Sequence, residues 1–343
     1  MLLVVLSAAL SLLLAELLAR AAGMRPLGNW SSTEPLLCFD PVLGWRNLPN
    51  RHGELVTPHF RIEVSTNAFG MRDQHCSVDR SPGTRRILLL GDSLAWGFGV
   101  GPEDRLDDRL ELLLPATEVL NAAVPGYSTD QELLWYEQQG CAFRADLVIL
   151  QLCGNDLPAN VADREYFMYE KPRLRRAADG TRVDPVLPLM APSSGRRMHR
   201  WLLTHLALAG AVDRAVERMT RSPASELSLR MVRGREAPLL TRWLLARLRE
   251  RVESDQARLV VVTSSTWWDH YCGPYETFLQ SLRDEGFEVF ATESSHGFDS
   301  AAHGIPGDGH WNAAGHACIA RALAAYIERC CLLPARAADP SNH

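Results

Sequence analysis

The sequence predicts an α/β domain in which a parallel sheet is covered by helices on both faces. Three observations lead there. Short apolar runs recur along the chain, each closed by turn residues. Amphipathic segments of helical length alternate with these runs. The runs are apolar at nearly every position rather than at every second one, as in strands buried on both faces. At 343 residues, 46% hydrophobic and 22% charged, the chain is long enough for one such domain with an appendage.

Taken in order, residues 2–15 (LLVVLSAALSLLLA) are apolar apart from two serines, and Glu16 and Arg20 follow. The run is short for a spanning helix, which needs roughly 20 residues. It suits a signal-peptide core, with Ala19-Arg20-Ala21 as a small-x-small cleavage site. Extended to Gly23, with Glu16 and Arg20 reaching outward, residues 1–23 would instead stay as a membrane anchor. Either reading puts the rest of the chain on the extracytoplasmic (periplasmic) face. The positive-inside rule argues against export, because Arg20 and Arg25 follow the run and no basic residue precedes it. The plain alternative is an N-terminal helix packed on the protein itself. Residues 26–84 are rich in Pro, Asn and Gly. There PHFRIEVSTNAFGMR predicts a strand at Phe60–Ser65 and a turn at Asn67–Gly70, in an extension packed on the main domain.

The alternation begins at Arg85. RRILLLGDS is a buried strand entering a turn, and EDRLDDRLELLL is an amphipathic helix. EVLNAAV is a second strand. STDQELLWYEQQG is a helix whose Thr129 and Glu132 have capping-box spacing. ADLVILQLC, RLVVVTSST and FEVFATESS supply the third, fourth and fifth strands, and NAAGHACIARALAAYIERC closes the domain, 85–335, as a helix. Residues 157–250 interrupt the pattern with Pro-rich loops and Arg-studded amphipathic helices near 197–219 and 237–253. An insertion after a strand's C-terminal end lies beside the rim where such folds bind ligands, so it is either a lid or a plain helical cover. Its later helix doubles as the crossover into the fourth strand. The tail, 336–343, reads as disordered.

Composition narrows the function. The net charge of -5 gives no general attraction to nucleic acid. Lys171 is the only lysine, which reads as codon bias rather than as an arginine-based binding device. The eight cysteines form no CxxC pair and no Cys/His cluster with zinc spacing, so no metal is expected. Their even number permits disulfides without requiring them. Cys153, at the end of an apolar run, reads as a buried free thiol.

Four blocks at strand ends carry chemistry. Gly91-Asp92-Ser93 follows the first strand. A serine at a strand-to-helix turn projects Oγ above the sheet edge, and the helix N-terminus favours developing negative charge. Gly126, in NAAVPGYSTDQE, follows the second strand and can expose an N–H without side-chain obstruction, as an oxyanion donor must. Asn155, in Gly154-Asn155-Asp156 after the third strand, can aim its amide at the same oxyanion. Asp308-Gly309-His310-Trp311-Asn312 precedes the last helix. A carboxylate and an imidazole on one loop can pair, the acid holding Nδ1–H and leaving Nε2 for the serine. Taken singly, each block has a plain reading as a turn or a helix cap. Asp92 and Asp156 read as turn and loop hydrogen-bonders. Trp96, Trp267 and Trp268 follow strand ends and either line an acyl or sugar pocket or pack in the core.

In this order and at these strand ends, the blocks resemble the SGNH hydrolase superfamily, also called GDSL-like lipases or esterases. The matched positions are Ser93, Gly126, Asn155 and His310, over roughly 85–160 and 257–330. LGWRNLPN…STNAFGMRD and the apolar start also resemble a bacterial membrane-associated branch. The resemblance implies a flavodoxin-like three-layer sandwich with a five-stranded parallel sheet, and no cofactor. The family usually places its acid three residues before the histidine. Position 307 is glycine here, so Asp308, two before His310, is the best acid. This Asp-x-His-Trp form is similar to polysaccharide O-acetyltransferase relatives. His303 and His316 are weaker candidates for the base.

The expected chemistry is hydrolysis of short-chain acyl esters through an acyl-enzyme on Ser93. His310 is the base, and the N–H groups of Ser93 and Gly126 with the Asn155 amide form the oxyanion hole. The substrate is a small acyl ester or an acylated glycan. The alternatives are an O-acyltransferase acting on an exported glycan and an inactive module that binds an envelope polymer.

Overall fold

The computed structural model describes residues 1–24, 26, 31–32, 35–73, 76–162, 170–172, 174–176, 183–185, 189, 191–220, 234, 236–268, 274–295 and 297–335. The expected disordered tail, Cys272 and most of the Pro-rich loops of the insertion lie outside them.

Five parallel strands form the central sheet: β1 (Arg85–Leu90), β2 (Thr117–Asn121), β3 (Leu147–Leu152), β4 (Arg258–Thr263) and β5 (Glu288–Ala291). Their order is β5-β4-β3-β1-β2, the doubly wound flavodoxin-like order, whose strands present their C-terminal ends to a ligand crevice. The period-2 geometry of each strand divides its side chains between two cores. Leu88, Leu90, Val148, Leu150 and Val261 face one side, with Leu244, Leu245 and Leu248 of helix α8 (Ala237–Ser254). Ile87, Leu89, Ile149, Val260 and Val262 face the other, with Leu106 and Leu110 of α3 (Leu106–Leu113) and Ile319, Leu323 and Ile327 of α10 (Ala313–Arg329). Truncating one of these buried side chains to alanine costs about 2–5 kcal/mol, so each face anchors the strand ends above it.

Further helices are α1 (Leu2–Ala21), α2 (Ser93–Trp96), α4 (Thr129–Gln138), α5 (Asp156–Val161), α6 (Ser194–His205), α7 (Ala207–Thr220) and α9 (Tyr275–Asp284), with one helical turn at Ser300–His303 before α10. Helix α8 packs on α4 and α5 and leads into β4, the crossover expected of it. The helix expected near 197–219 is two helices, because Leu206 takes an extended conformation (ψ 122°) between α6 and α7. The capping box expected at Thr129 and Glu132 does not form. Ser128 occupies the N-cap position, and Thr129 Oγ1 and both Glu132 carboxylate oxygens are buried without a hydrogen-bond partner among the described residues.

The extension is two antiparallel hairpins. Leu37–Asp40 pairs with Gly44–Asn47, and His52–Val56 pairs with Arg61–Ser65 and with Ser31–Ser32. The strand expected to begin at Phe60 begins at Arg61, because Thr57 Oγ1 accepts the Phe60 N–H in the hairpin turn. At the following turn Asn67 Oδ1 accepts the N–H groups of Phe69 and Met71 at 2.9 and 3.1 Å. The described cysteines are all free thiols, and Cys153 is buried.

Candidate active site

Three strand ends converge on Ser93. Asp92 caps α2 through Oδ1, which accepts the Leu94 N–H at 2.9 Å. Ser93 is thereby the first residue of a helix of only four, and its N–H is one of the first-turn donors that have no partner within the helix. Such a short helix needs outside support, and Arg72 gives it. The Arg72 guanidinium is fully buried and donates to the carbonyls of Trp96 (2.9 Å), Gly97 (2.6 Å), Val100 (2.7 Å) and Glu63 (3.2 Å). It also lies 4.4 Å from the centre of the Trp96 ring. Burial, reinforced by the charge of Arg105, lowers its pKa to about 9. That still leaves a cation at neutral pH, placed against the C-terminal carbonyls of α2.

The loop after β2 carries Gly126, whose φ of +80° is the left-handed region that glycine enters without strain. Two ties fix it. The Val124 N–H donates to Gly91 O at 3.0 Å, joining it to the serine turn. Strand Gly44–Asn47 clamps its outer side: Trp45 Nε1 donates to Pro125 O at 3.0 Å, and the Tyr127 hydroxyl donates to Trp45 O at 2.6 Å.

After β3, Asn155 Nδ2 donates to Asp92 Oδ2 at 3.1 Å, which leaves its second N–H for another acceptor. Cys153 Sγ lies 3.1 Å from the same Asp92 oxygen and contacts Asn155 Oδ1. Burial, reinforced by the charges of Asp92 and Asp156, pushes the Cys153 thiol pKa well up, so it stays protonated. Asp156 Oδ2 accepts the Cys153 N–H at 2.6 Å, a loop bond of the kind expected for it.

His310 Nε2 lies 2.8 Å from Ser93 Oγ, and its Nδ1 contacts Asp308 Oδ1. Asp308 also accepts the His310 N–H at 3.3 Å. With the Nδ1 proton on the carboxylate side, Nε2 is free to accept the serine proton. Burial raises the Asp308 pKa, but the hydrogen bond and charge of His310 outweigh it, and the carboxyl lies below its usual range. The two-residue spacing therefore brings acid and base into contact. Gly309, between them, adopts φ +94°, and a Cβ there would meet the Trp267 indole at 2.9 Å.

The other candidates fall elsewhere. Trp267 meets His310 edge-on, with ring centroids 4.9 Å apart. Of the two readings open for the tryptophans, pocket lining or core packing, Trp96 and Trp268 take the second, each 1% exposed. Trp96 lies under Arg72, and Trp268 packs on Tyr275 and Phe278. His316 is fully buried against Trp311, and burial with the nearby Arg72 and Arg105 charges lowers its pKa to about 3, so it stays neutral. His303 accepts the Asp299 N–H at the far end of the loop. The sequence reading missed Phe98, whose ring lies 4.6 Å from that of His310. It also missed Phe60, which meets Phe98 edge-on at 5.1 Å, and exposed His59, which borders Gly307. The motif GDSLAWGF continues to Phe98, so that residue was within reach. His59 and Phe60 carry no local signal.

Asp92, Cys153 and Asp156 bring ligand-type atoms within 4.8 Å of one another. Asp92 and Asp156 already accept backbone or amide protons there, a donor set occupied by the protein itself.

The model of the GDSL-like lipase/acylhydrolase family matches residues 89–318. Among solved structures, the chain is similar to a lipolytic protein of the G-D-S-L family from Desulfitobacterium hafniense DCB-2. Identity there is 8%, coverage 71% of this chain and 99% of that one, and the TM-score 0.40. It is similar to a lipolytic G-D-S-L protein from Veillonella parvula DSM 2008 at 11% identity, covering 72% and 100%, TM-score 0.40. It is similar to the lipase/acylhydrolase from Enterococcus faecalis at 13% identity, covering 74% and 100%, TM-score 0.41. No curated protein matches the sequence.

Proposed function

The chain belongs to the GDSL-like lipase/acylhydrolase family, and from that premise we propose that it is a serine esterase acting on short-chain acyl esters, with Ser93 as nucleophile. The observation that carries this reading is the continuous contact from Asp308 through His310 to Ser93, with 2.8 Å between Nε2 and Oγ. His310 Nε2 takes the Ser93 proton as Oγ attacks the ester carbonyl. The oxyanion is held by the N–H groups of Ser93 and Gly126 and by the free N–H of Asn155 Nδ2. As the tetrahedral intermediate collapses, His310 returns the proton to the departing alcohol. Water, deprotonated by the same nitrogen, then attacks the acyl-enzyme, and Ser93 recovers its proton as the acid leaves. Asp308 orients the imidazole and stabilises its charged form. Phe98 and Trp267 pack against the His310 ring, with centroids 4.6 and 4.9 Å away, and hold it in place. Helix α1, apolar and almost wholly exposed, anchors the domain on the extracytoplasmic side of a membrane.

Transfer of the acyl group to a glycan hydroxyl would use the same residues, so the test separates the acceptors. Full-length protein is given an acetyl ester together with a neutral oligosaccharide. Free acetate, at a rate little changed by the sugar, is expected. Acetyl groups appearing on the oligosaccharide, with little free acetate, would overturn hydrolysis in favour of transfer. A fluorophosphonate probe should label wild type and not Ser93→Ala; an unlabelled folded wild type would point to an inactive binding module.

A further inference from the structure

Helix α1 carries no ionisable side chain from Leu2 to Ala15. At 1.5 Å per residue this run covers roughly 21 Å, against a hydrocarbon core of roughly 30 Å. Its two hydroxyls are satisfied within the helix, Ser7 on Val4 O at 3.0 Å and Ser11 on Ser7 O at 2.8 Å, so it presents no unmet polar group to lipid. The next turns hold Glu16 and Arg20. In a bilayer spanned by α1 these two groups would still lie at membrane depth, where an ionised side chain persists only when paired or shielded by protein.

The structure supplies those partners from one place, the α6–α7 junction. Glu16 accepts the N–H groups of Ala207 and Leu208, both at 2.9 Å, and so caps α7 from another helix. Arg20 donates to Glu16 at 2.7 Å and to His205 O at 2.7 Å. The junction is thereby tied to the depth at which the apolar run ends. The two helices that meet there expose large apolar side chains: Met198 (59%) and Trp201 (51%) on α6, and Val212 (54%) and Met219 (81%) on α7. Met198 and Trp201 are three apart and Val212 and Met219 seven apart, so each pair shares a helix face. The Trp201 ring stacks on His205 at 4.8 Å, at the residue whose carbonyl receives Arg20. Tryptophan above an apolar face is what the headgroup boundary favours.

We propose that the α6–α7 pair is a second membrane-contacting element, seated in the headgroup–acyl boundary of the phospholipid bilayer that α1 spans and held at that depth by Glu16. The proposal rests on reading α1 as a membrane segment. It requires that α1 stay on the chain, because cleavage at Ala19–Ala21 would remove the cap of α7.

The experiment uses the full-length chain in phosphatidylcholine/phosphatidylglycerol vesicles, with either ordinary or acyl-brominated lipid. An environment-sensitive fluorescent amino acid is incorporated at position 10, 198, 212 or 219. Loss of emission in brominated lipid is expected at all four positions. In a Glu16→Ala background, esterase activity and quenching at position 10 should persist, while quenching at 198, 212 and 219 falls. Quenching at position 10 alone overturns the proposal and leaves the anchor. Absence of quenching at position 10 as well sinks the anchor reading, and the proposal with it. Blue-shifted emission at 198 and 212 without bromine quenching means that protein, such as a second copy of the chain, covers α6 and α7, and also overturns it.

Discussion

Asp92→Asn is a nearly isosteric change that separates the orienting of Asn155 from the folding of the site. Asp92 is fully buried and divides its oxygens among three donors, Oδ1 taking the Leu94 N–H at 2.9 Å and Oδ2 taking Asn155 Nδ2 and the Cys153 thiol, each at 3.1 Å. In the variant, the amide oxygen stays on the Leu94 N–H, since asparagine caps helices as well as aspartate. The new amide nitrogen then stands 3.1 Å from Asn155 Nδ2, donor against donor. Asn155 relieves this by turning its amide over, which presents Oδ1 where the oxyanion develops. One donor is lost, worth about 2.7–4 kcal/mol in the transition state, or a 10²–10³-fold drop in kcat. KM changes little, because the lost contact is made in the transition state. Stability should fall by no more than about 1–2 kcal/mol, the difference between a charge-assisted and a neutral hydrogen bond. Steady-state hydrolysis of an acetyl ester, with thermal melting alongside, measures both. The double variant with Asn155→Ala should be no slower than Asn155→Ala alone, because both remove the same donor. Independent losses that multiply, or a kcat within about threefold of wild type, would refute the argument.

Glu132 is buried, and burial together with the charges of Asp156, Asp92 and Asp130 raises its pKa well above the usual carboxylate range. The folded chain therefore holds a proton that the unfolded chain releases above about pH 4.3, and wild type loses stability as pH rises. Glu132→Gln should match wild type near pH 4 and gain on it by up to about 1.4 kcal/mol per pH unit above that; urea melts that run parallel across the range would contradict the assignment. Lys171 and Asp130 form a fully buried ion pair, so Lys171→Met, which strands the carboxylate, should cost about 3–5 kcal/mol by chemical denaturation. Phe98→Ala frees the His310 ring, and kcat should fall about 10- to 100-fold with the fold intact; unchanged kinetics would assign Phe98 to packing alone.

The strands were legible because β1, β3 and β4 are buried on both faces, so the apolar runs ILLL, LVILQL and LVVV leave no other reading. Ser93, Asn155 and His310 stood out because each sits in a turn directly after a strand or before a helix, where sequence order and spatial order coincide. What escaped is long-range. Glu132 has the spacing of a cap but is buried by α4's packing on α8 and α5. Trp96 and Trp268 have the same local setting as Trp267, and their neighbours alone decide that two are core and one meets His310. Arg72, one of many arginines, gives no local sign that four carbonyls converge on it from both sides of β1.

Those four carbonyls set where the folding unit begins. The family match starts at residue 89, and the parallel sheet starts at Arg85. A chain cut at either point would leave the carbonyls of Trp96, Gly97 and Val100 buried without the guanidinium that receives them, each costing about 1–3 kcal/mol. It would also lose the Trp45 clamp on the Gly126 loop. The sheet would remain, but the serine turn and the glycine loop would no longer be held rigid. The smallest autonomous enzyme therefore opens before Leu36, the first core residue of the hairpins. Swapping such a catalytic domain between relatives has to carry those hairpins with it.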